Sequence, residues 1–515
     1  MLINKKILFT VAVGVALSVS SCKKFLDVNT NPNISQTATV QTLLPAAQLY
    51  LGSSIGVDLQ IYGSFWAQFW TQSPNASQYI AVDQYATGQD AFSTSWTSLY
   101  SGAENFYQLY KLADTQQKKQ YKAVSLLMQA YTFQVLTDGW GDVPFKQALK
   151  GQYADGHIVS PKYDSQLVVY RGILAYIDTA RKLISASDAV HPGSDDLIYG
   201  GDMSKWAKFA NTLRLKVLMR MSNIDPAGTR TKIDSFFRAV PAPQFIGEGD
   251  DAKIAYGFSS ASKSPLYAEA SSTQLAGTQN LVGSKTCIDS MNSNNDYRAY
   301  VFYIATASGV PVGIEQSQYK IVVPSSSYSI PNVYVAGDAS SATSGEAPVN
   351  LLTSWESYFL QAEAVARGYT TMASASDDVL FYKGIHASFA YYNNQMTNEI
   401  GVDSAAAYDV YVNGDATIPL APGYWAVYPS GGTVADKVRH IITQKWFAMC
   451  GNQGFEAWTE WRRTGYPDFL VTPVNSLIGS NRPLRFLYPT SESTTNGNFP
   501  SSGLLPLTKN VWWDK

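Results

Sequence analysis

The stretch Lys122-Ala123-Val124-Ser125-Leu126-Leu127-Met128-Gln129-Ala130-Tyr131-Thr132-Phe133 decides the fold class. Lys122, Ser125, Gln129 and Thr132 fall at helical spacing on one narrow stripe, and apolar side chains fill the rest of the surface. A helix with so little polar surface packs on at least two sides, as in layers of stacked helical pairs. Ala123 and Ala130, seven residues apart, permit close approach. The periodicity predicts this helix over 117–137 and another over 93–114. The short polar link from Asp114 to Gln116 joins the two into an αα-hairpin.

Working outward, helices are predicted over 164–184 and 202–221, the latter with Asp202 as N-cap and Lys216 and Arg220 near its negative C-terminal end. Another opens at Thr353, where Thr353 and Glu356 match a capping box, and closes at Gly368. Two more are predicted over 381–397 and 436–449. Between Pro226 and Pro348 the pattern breaks into Ser, Gly, Thr and short apolar runs such as Tyr319 to Val323. These read as loops and small strands, the expected place for ligand-facing surface. No internal repeat of array length is visible, so periodicity gives helices and not their order.

The N-terminus reads as a targeting segment. Lys5 and Lys6 precede an apolar run from Ile7 to Val19, and Ser20 and Ser21 lead into Cys22, a pattern that resembles a bacterial lipobox. Cleavage before Cys22 and acylation of its thiol would tether the chain by lipid alone, since the apolar run is too short to span a bilayer. Residues 1–21 are then a signal peptide and 22–38 a lipidated cysteine with a spacer holding Asn29, Asn31, Pro32 and Asn33. Residues 39–515 form a single domain with a loop-rich insert at about 226–350.

Composition narrows the function classes. A net charge of -2 gives no basic field for nucleic acid. Apart from Cys22, the cysteines are Cys287 and Cys450, which allow one internal disulfide at most and form no CxxC pair. Charged residues make up 15% and aromatic residues 13% of the chain, a polar but weakly charged balance suited to uncharged polar ligands such as sugars. In a large domain most of those rings are nonetheless packing.

Chemistry-bearing motifs are few. His157, His191, His386 and His440 are scattered without metal-ligand spacing, and the acids Glu248, Asp250 and Asp251 read as a solvated turn before a calcium site. Gly283-Ser284-Lys285-Thr286 places a serine where a phosphate loop needs glycine before lysine. Glu356 and Glu363 share a helix face but are read through the cap rather than as a glycosidase pair. Arg462 and Arg463 beside Trp458, Trp461 and Tyr466 read as helix-holding residues, and Gly141, Asp142 and Pro144 as a helix-stopping turn. The candidate ligand contacts are Trp66, Trp70, Gln72, Asn75, Tyr79 and Trp96, where aromatic rings alternate with amides and part of the segment lacks helical periodicity. No catalytic residue, metal or cofactor is expected.

Several segments together resemble the SusD/RagB-like nutrient-binding outer-membrane lipoproteins of Bacteroidetes. The likeness begins at Cys22-Lys23-Lys24-Phe25-Leu26-Asp27 and is sharpest at Leu136-Thr137-Asp138-Gly139-Trp140-Gly141-Asp142-Val143-Pro144-Phe145. It continues at Trp206, Phe209, Ala210, Asn211, Leu213, Arg214, at Gln361-Ala362-Glu363-Ala364 with Arg367 and Gly368, and at Gln444-Lys445-Trp446. It closes at Glu456-Ala457-Trp458, Trp461-Arg462-Arg463-Thr464-Gly465-Tyr466-Pro467 and Trp512-Trp513-Asp514. The chain departs from the family at Asp296-Tyr297-Arg298, where proline is more usual between acid and arginine. The resemblance implies a mostly α fold of tetratricopeptide-like helical pairs stacked in a superhelix, with a loop-rich ligand-binding face and a few short strands. It also implies a non-catalytic outer-membrane protein, facing the cell exterior, that passes oligosaccharides or peptides to a SusC-like TonB-dependent β-barrel transporter. A peptide binder of the same family and a lipid-anchored glycoside hydrolase are the alternatives.

Overall fold

Thr39 opens the first helix through a capping box with Thr42. It stands near the start of the residues that the computed structural model describes: 38–259, 262–417, 420–500 and 502–514. The lipobox, Cys22 and nearly all of the expected spacer lie outside them.

Helix α1 (Val40–Ser54) packs on α3 (Ser93–Thr115), α3 on α4 (Lys119–Trp140), α4 on α5 (Gln166–Leu183) and α5 on α6 (Met203–Arg220). After α7 (Pro226–Phe237), a second group follows. Helix α8 (Ser354–Ala366) packs on α6, on α9 (Asp377–Tyr391) and on α10 (Val434–Ala448), while α11 (Gly454–Thr464) lies on α2 (Gln60–Trp66). The fold is mostly helical, with helical pairs stacked in the tetratricopeptide-like manner. Helix α4 is its axis: every residue from Ala123 to Trp140 is buried. Its polar stripe is therefore satisfied inside the protein, by bonds from Ser125 Oγ to the Phe106 carbonyl and from Thr132 Oγ1 to the Met128 carbonyl.

Local signals placed several helix ends. Asp202 caps α6 by accepting from the Ser204 and Lys205 amides, and Gly368 adopts φ +65° just past α8. Thr353 accepts from the Glu356 amide, but the Glu356 carboxylate turns inward instead of closing the box. The helix expected over 381–397 is two helices, Asp377–Tyr391 and Asn393–Ile400, because Tyr392 is held in the core by Phe302 and by Asn452. The region after Pro226 opens with helix α7, capped by Asp225. Tyr319 to Val323 is irregular chain, with Ile321 and Val323 packed on a small cluster of Val282, Ile314 and Tyr328.

Among the described residues three two-stranded antiparallel sheets tie loops to helices: β1 (Trp70–Gln72) with β5 (Leu281–Gly283), β2 (Val143–Pro144) with β3 (Tyr163–Asp164), and β4 (Ala252–Ile254) with β6 (Val349–Leu352). A buried ion network locks the centre. Lys216 reaches Glu356 at 3.0 Å and Glu456 at 2.9 Å, Arg220 joins Asp138, Glu456 and Glu460, and Lys445 lies 3.2 Å from Glu460. Such charges are tolerated without water only because each has opposite charge against it.

Candidate binding site

Strand β4 carries the sequence Ala252-Lys253-Ile254, and strand alternation buries Ala252 and Ile254 while turning Lys253 to the opposite side. The register places Asn350 of β6 opposite Lys253, with an irregularity between Ala252 and Lys253. Lys253 and Asn350 thereby stand on the wall of a pocket of about 280 Å³. The C-terminal end of α9 adds Tyr391, the turn between α10 and α11 adds Gly451 and Asn452, and the insert adds Tyr334 and Glu346. The floor includes Gly56 from a π-helical stretch, Ile55–Leu59, that connects α1 to α2. π-Helical turns inside helices are frequent at functional sites. A side chain at Gly56 would overlap Val349 and Pro265.

The pocket combines ring faces with amides. Tyr391 is fixed edge-on to Trp355, with centroids 5.0 Å apart, and its hydroxyl donates to Asn350 Oδ1 at 3.1 Å. Asn452 Nδ2 donates to the Tyr392 hydroxyl at 3.1 Å, leaving the buried Asn452 Oδ1 without a donor among the described residues. Lys253 Nζ lies 4.4 Å from the Tyr391 ring centroid and 3.3 Å from its hydroxyl. Burial lowers the Lys253 pKa, an effect that Asp251 partly offsets. Burial, followed by the charge of Asp251, raises that of Tyr391, so the phenol stays neutral. Fixed rings beside hydrogen-bonding amides can hold a ligand with one apolar face and a polar edge.

The residues singled out from sequence lie elsewhere. Trp66, Trp70, Gln72 and Trp96 are buried, which corrects the expectation that they stand as open platforms. Trp66 is packed against Trp458 and Phe486, and Trp96 against Trp140 and Tyr100; rings covered on their faces have no surface for a sugar. Gln72 is consumed locally, accepting from the Tyr79 amide at 2.7 Å. Tyr79 is half-buried on Phe65 and borders a cavity of about 20 Å³, too small for a sugar ring. Asn75 is exposed and donates to the Tyr328 hydroxyl of the insert at 2.7 Å. The same aromatic-amide signal recurs at Tyr391-Tyr392-Asn393-Asn394-Gln395, of which Tyr391, Tyr392 and Gln395 do line the pocket.

Other singled-out groups are structural. Arg462 stacks over Trp458 at 3.5 Å, and Asp142 accepts from the Gln166 amide across the turn. Lys285 pairs with Asp289. Asp250 pairs with Lys208, Glu248 meets His386 and Asp251 accepts from Ser354, so these acids point to separate partners. Among the described residues no group of three or more His, Cys, Asp or Glu side chains is arranged to hold a metal ion. Cys287 and Cys450 are buried free thiols with sulfurs 3.7 Å apart.

Among the described residues no helix is long and apolar enough to cross a membrane. A family model described as SusD-like, starch-binding and associating with the outer membrane, matches residues 32–489. No curated protein matches by sequence. Among solved structures, a chitin-binding SusD homologue from Flavobacterium johnsoniae is 23% identical with a TM-score of 0.71, and the match covers 92% of this chain and 98% of that one. A SusD homologue from Bacteroides fragilis is 22% identical with a TM-score of 0.70, over 93% and 99% of the two chains. A SusD/RagB family protein from Bacteroides thetaiotaomicron is 20% identical with a TM-score of 0.72, over 93% and 99%. At these identities the structural likeness is one of fold.

Proposed function

The chain belongs to the SusD-like family, and on that premise we propose that it is a non-catalytic surface lipoprotein that captures an oligosaccharide and delivers it to a SusC-like TonB-dependent barrel. The anchor is the lipid on Cys22, and the protein faces the cell exterior. The observation that carries the ligand reading is the pocket between β4, β6, α9 and the insert, where Tyr391 and Tyr334 stand among Asn350, Gln395 and Asn452. Tyrosine faces suit the C–H face of a pyranose, and the amides suit its hydroxyls. Transfer to a barrel needs release as well as capture, which fits a pocket of about 280 Å³ that grips one or two sugar units rather than a whole chain.

A hydrolase is the weaker reading. Glycoside hydrolysis commonly uses two carboxyl groups about 5 to 10 Å apart, whereas Glu346 is the one carboxylate among the described residues that line this pocket. The test is titration calorimetry of the folded protein with an oligosaccharide panel, alongside product analysis. Binding without product, lost on Tyr391→Ala, supports capture. Product formation, or binding that ignores Tyr391, overturns it.

A further inference from the structure

Lys253 differs from the other lysines set into this fold, and from the buried Arg462 and Arg485, which pair with no carboxylate among the described residues but donate to main-chain carbonyls of Asp138, Leu484, Trp140 and Phe486. Lys216, Arg220, Lys445 and Arg463 each meet carboxylates in the central network, and Arg298 is paired with Asp296 at 2.6 Å. Closer to the surface, Lys208 has Asp250 and Lys437 has Asp377. Lys253 is half-buried, yet among the described residues its ammonium meets no carboxylate within ion-pair distance. Among the described residues the one hydrogen-bond partner of its ammonium is the Tyr391 hydroxyl, at a long 3.3 Å. An ammonium has three N–H donors, so donors remain over on a group already partly stripped of water.

The neighbouring acids offset the Lys253 charge only in part, and among the described residues none forms an ion pair with it. Asp251, two residues before Lys253, is held instead by the Ser354 amide and hydroxyl, from which it accepts at 2.7 and 2.8 Å. Glu346 stands exposed on the insert side of the pocket. The Tyr391 ring holds Lys253 in place through its face without neutralising it.

We propose that the pocket selects a sugar that carries a carboxylate, such as a uronic acid, with Lys253 receiving the carboxylate while Tyr391 and the Asn350 amide hold the ring. This rests on the reading of the pocket as an oligosaccharide site and names the class of sugar that it prefers. A carboxylate would use the spare N–H donors and complete the charge balance, which a neutral sugar leaves unmet.

The experiment uses the mature protein and matched probes: uronic-acid oligosaccharides of several linkages, each beside its carboxyl-reduced neutral counterpart, titrated at low and at high salt. The acidic member of at least one pair should bind about 10- to 100-fold more tightly, as expected for a hydrogen bond to a charged group. Salt should narrow the gap. Lys253→Met should bring the ratio close to one, whereas Lys253→Arg should keep the preference. Circular dichroism confirms that each variant is folded.

A neutral member that binds as tightly as its acid, or a preference that survives Lys253→Met, overturns the proposal and leaves the pocket as a neutral-glycan site. A carboxylate-bearing peptide that outcompetes every sugar also overturns it. If neither member of any pair binds in a manner sensitive to Tyr391→Ala, the oligosaccharide reading of the pocket itself fails.

Discussion

Arg463 grips Glu363 with both ends of its guanidinium, Nη1 to Oε1 at 2.8 Å and Nη2 to Oε2 at 2.6 Å, across 100 residues of chain and with both side chains sealed from solvent. This pair fastens α11 to α8, and Arg463 is shared with Glu460 on its own helix. Burial pushes the Glu363 carboxyl up, but the Arg463 guanidinium, followed by Arg367, outweighs it and holds the pKa below the ordinary value. Glu363→Gln should therefore destabilise the fold by about 3 to 5 kcal/mol, because it leaves Arg463 short of its charge partner in a dry site. Urea unfolding reads the loss; a change below about 1 kcal/mol would show that the pair is dispensable.

Asp83 gives a pH-dependent effect of known sign. Burial raises its pKa to about 7, although it accepts from the Thr71 hydroxyl at 2.7 Å, the Gln72 amide at 3.0 Å and the Gln316 side chain at 2.6 Å. A carboxyl whose folded pKa lies above its unfolded value favours the fold when protonated. Its contribution is complete below about pH 4 and is lost as the pH rises through about 7. Relative to wild type, Asp83→Asn should gain stability between pH 4 and pH 8 by a few kcal/mol. Parallel stability curves for the two proteins would mean that Asp83 titrates normally.

Trp66 and Tyr391 separate packing from binding. Trp66→Ala removes a fully packed ring and should cost about 3 to 5 kcal/mol of stability, while a partial fill by Phe leaves ligand affinity intact. Tyr391→Phe keeps the ring and loses the hydroxyl bond to Asn350, so it should cost about 1 kcal/mol of stability and retain most of the affinity. Ligand titration of folded Trp66→Phe is decisive: a large drop in affinity would return the binding site to the N-terminal aromatic segment.

Gly63 on α2 lies against the backbone of Gly454 and Phe455 at the start of α11, where a Cβ would overlap main-chain atoms that cannot yield. Gly63→Ala should part the two helices and abolish soluble expression or lower the melting temperature by more than about 10 °C. An unchanged melting temperature would show that the helices can separate without loss.

Cys22→Ser should release the protein from the membrane fraction. Fractionation of cells that express the full chain reads this directly, and a variant that stays in the membrane pellet would place the attachment elsewhere.

The sequence by itself determined the helical class, because periodicity and capping are local: the apolar surface of 123–133 and the caps at Asp202 and Thr353 carry their information within a few residues. The motif spacing also carried the family, since Thr137 to Phe145 and Trp458 to Pro467 are contiguous strings. Tertiary structure alone decided what a given aromatic residue does. Trp66 and Tyr391 have equivalent local settings, rings near amides, but Trp66 meets Trp458 and Phe486 from about 400 residues away, whereas Tyr391 keeps an approach open beside β4 and the insert. The ring faces are covered or free according to contacts between distant segments, and no local pattern encodes them. Lys253 is the same case: only the pairing of β4 with β6 and the end of α9 sets its ammonium over a tyrosine, with no ion pair to a carboxylate among the described residues.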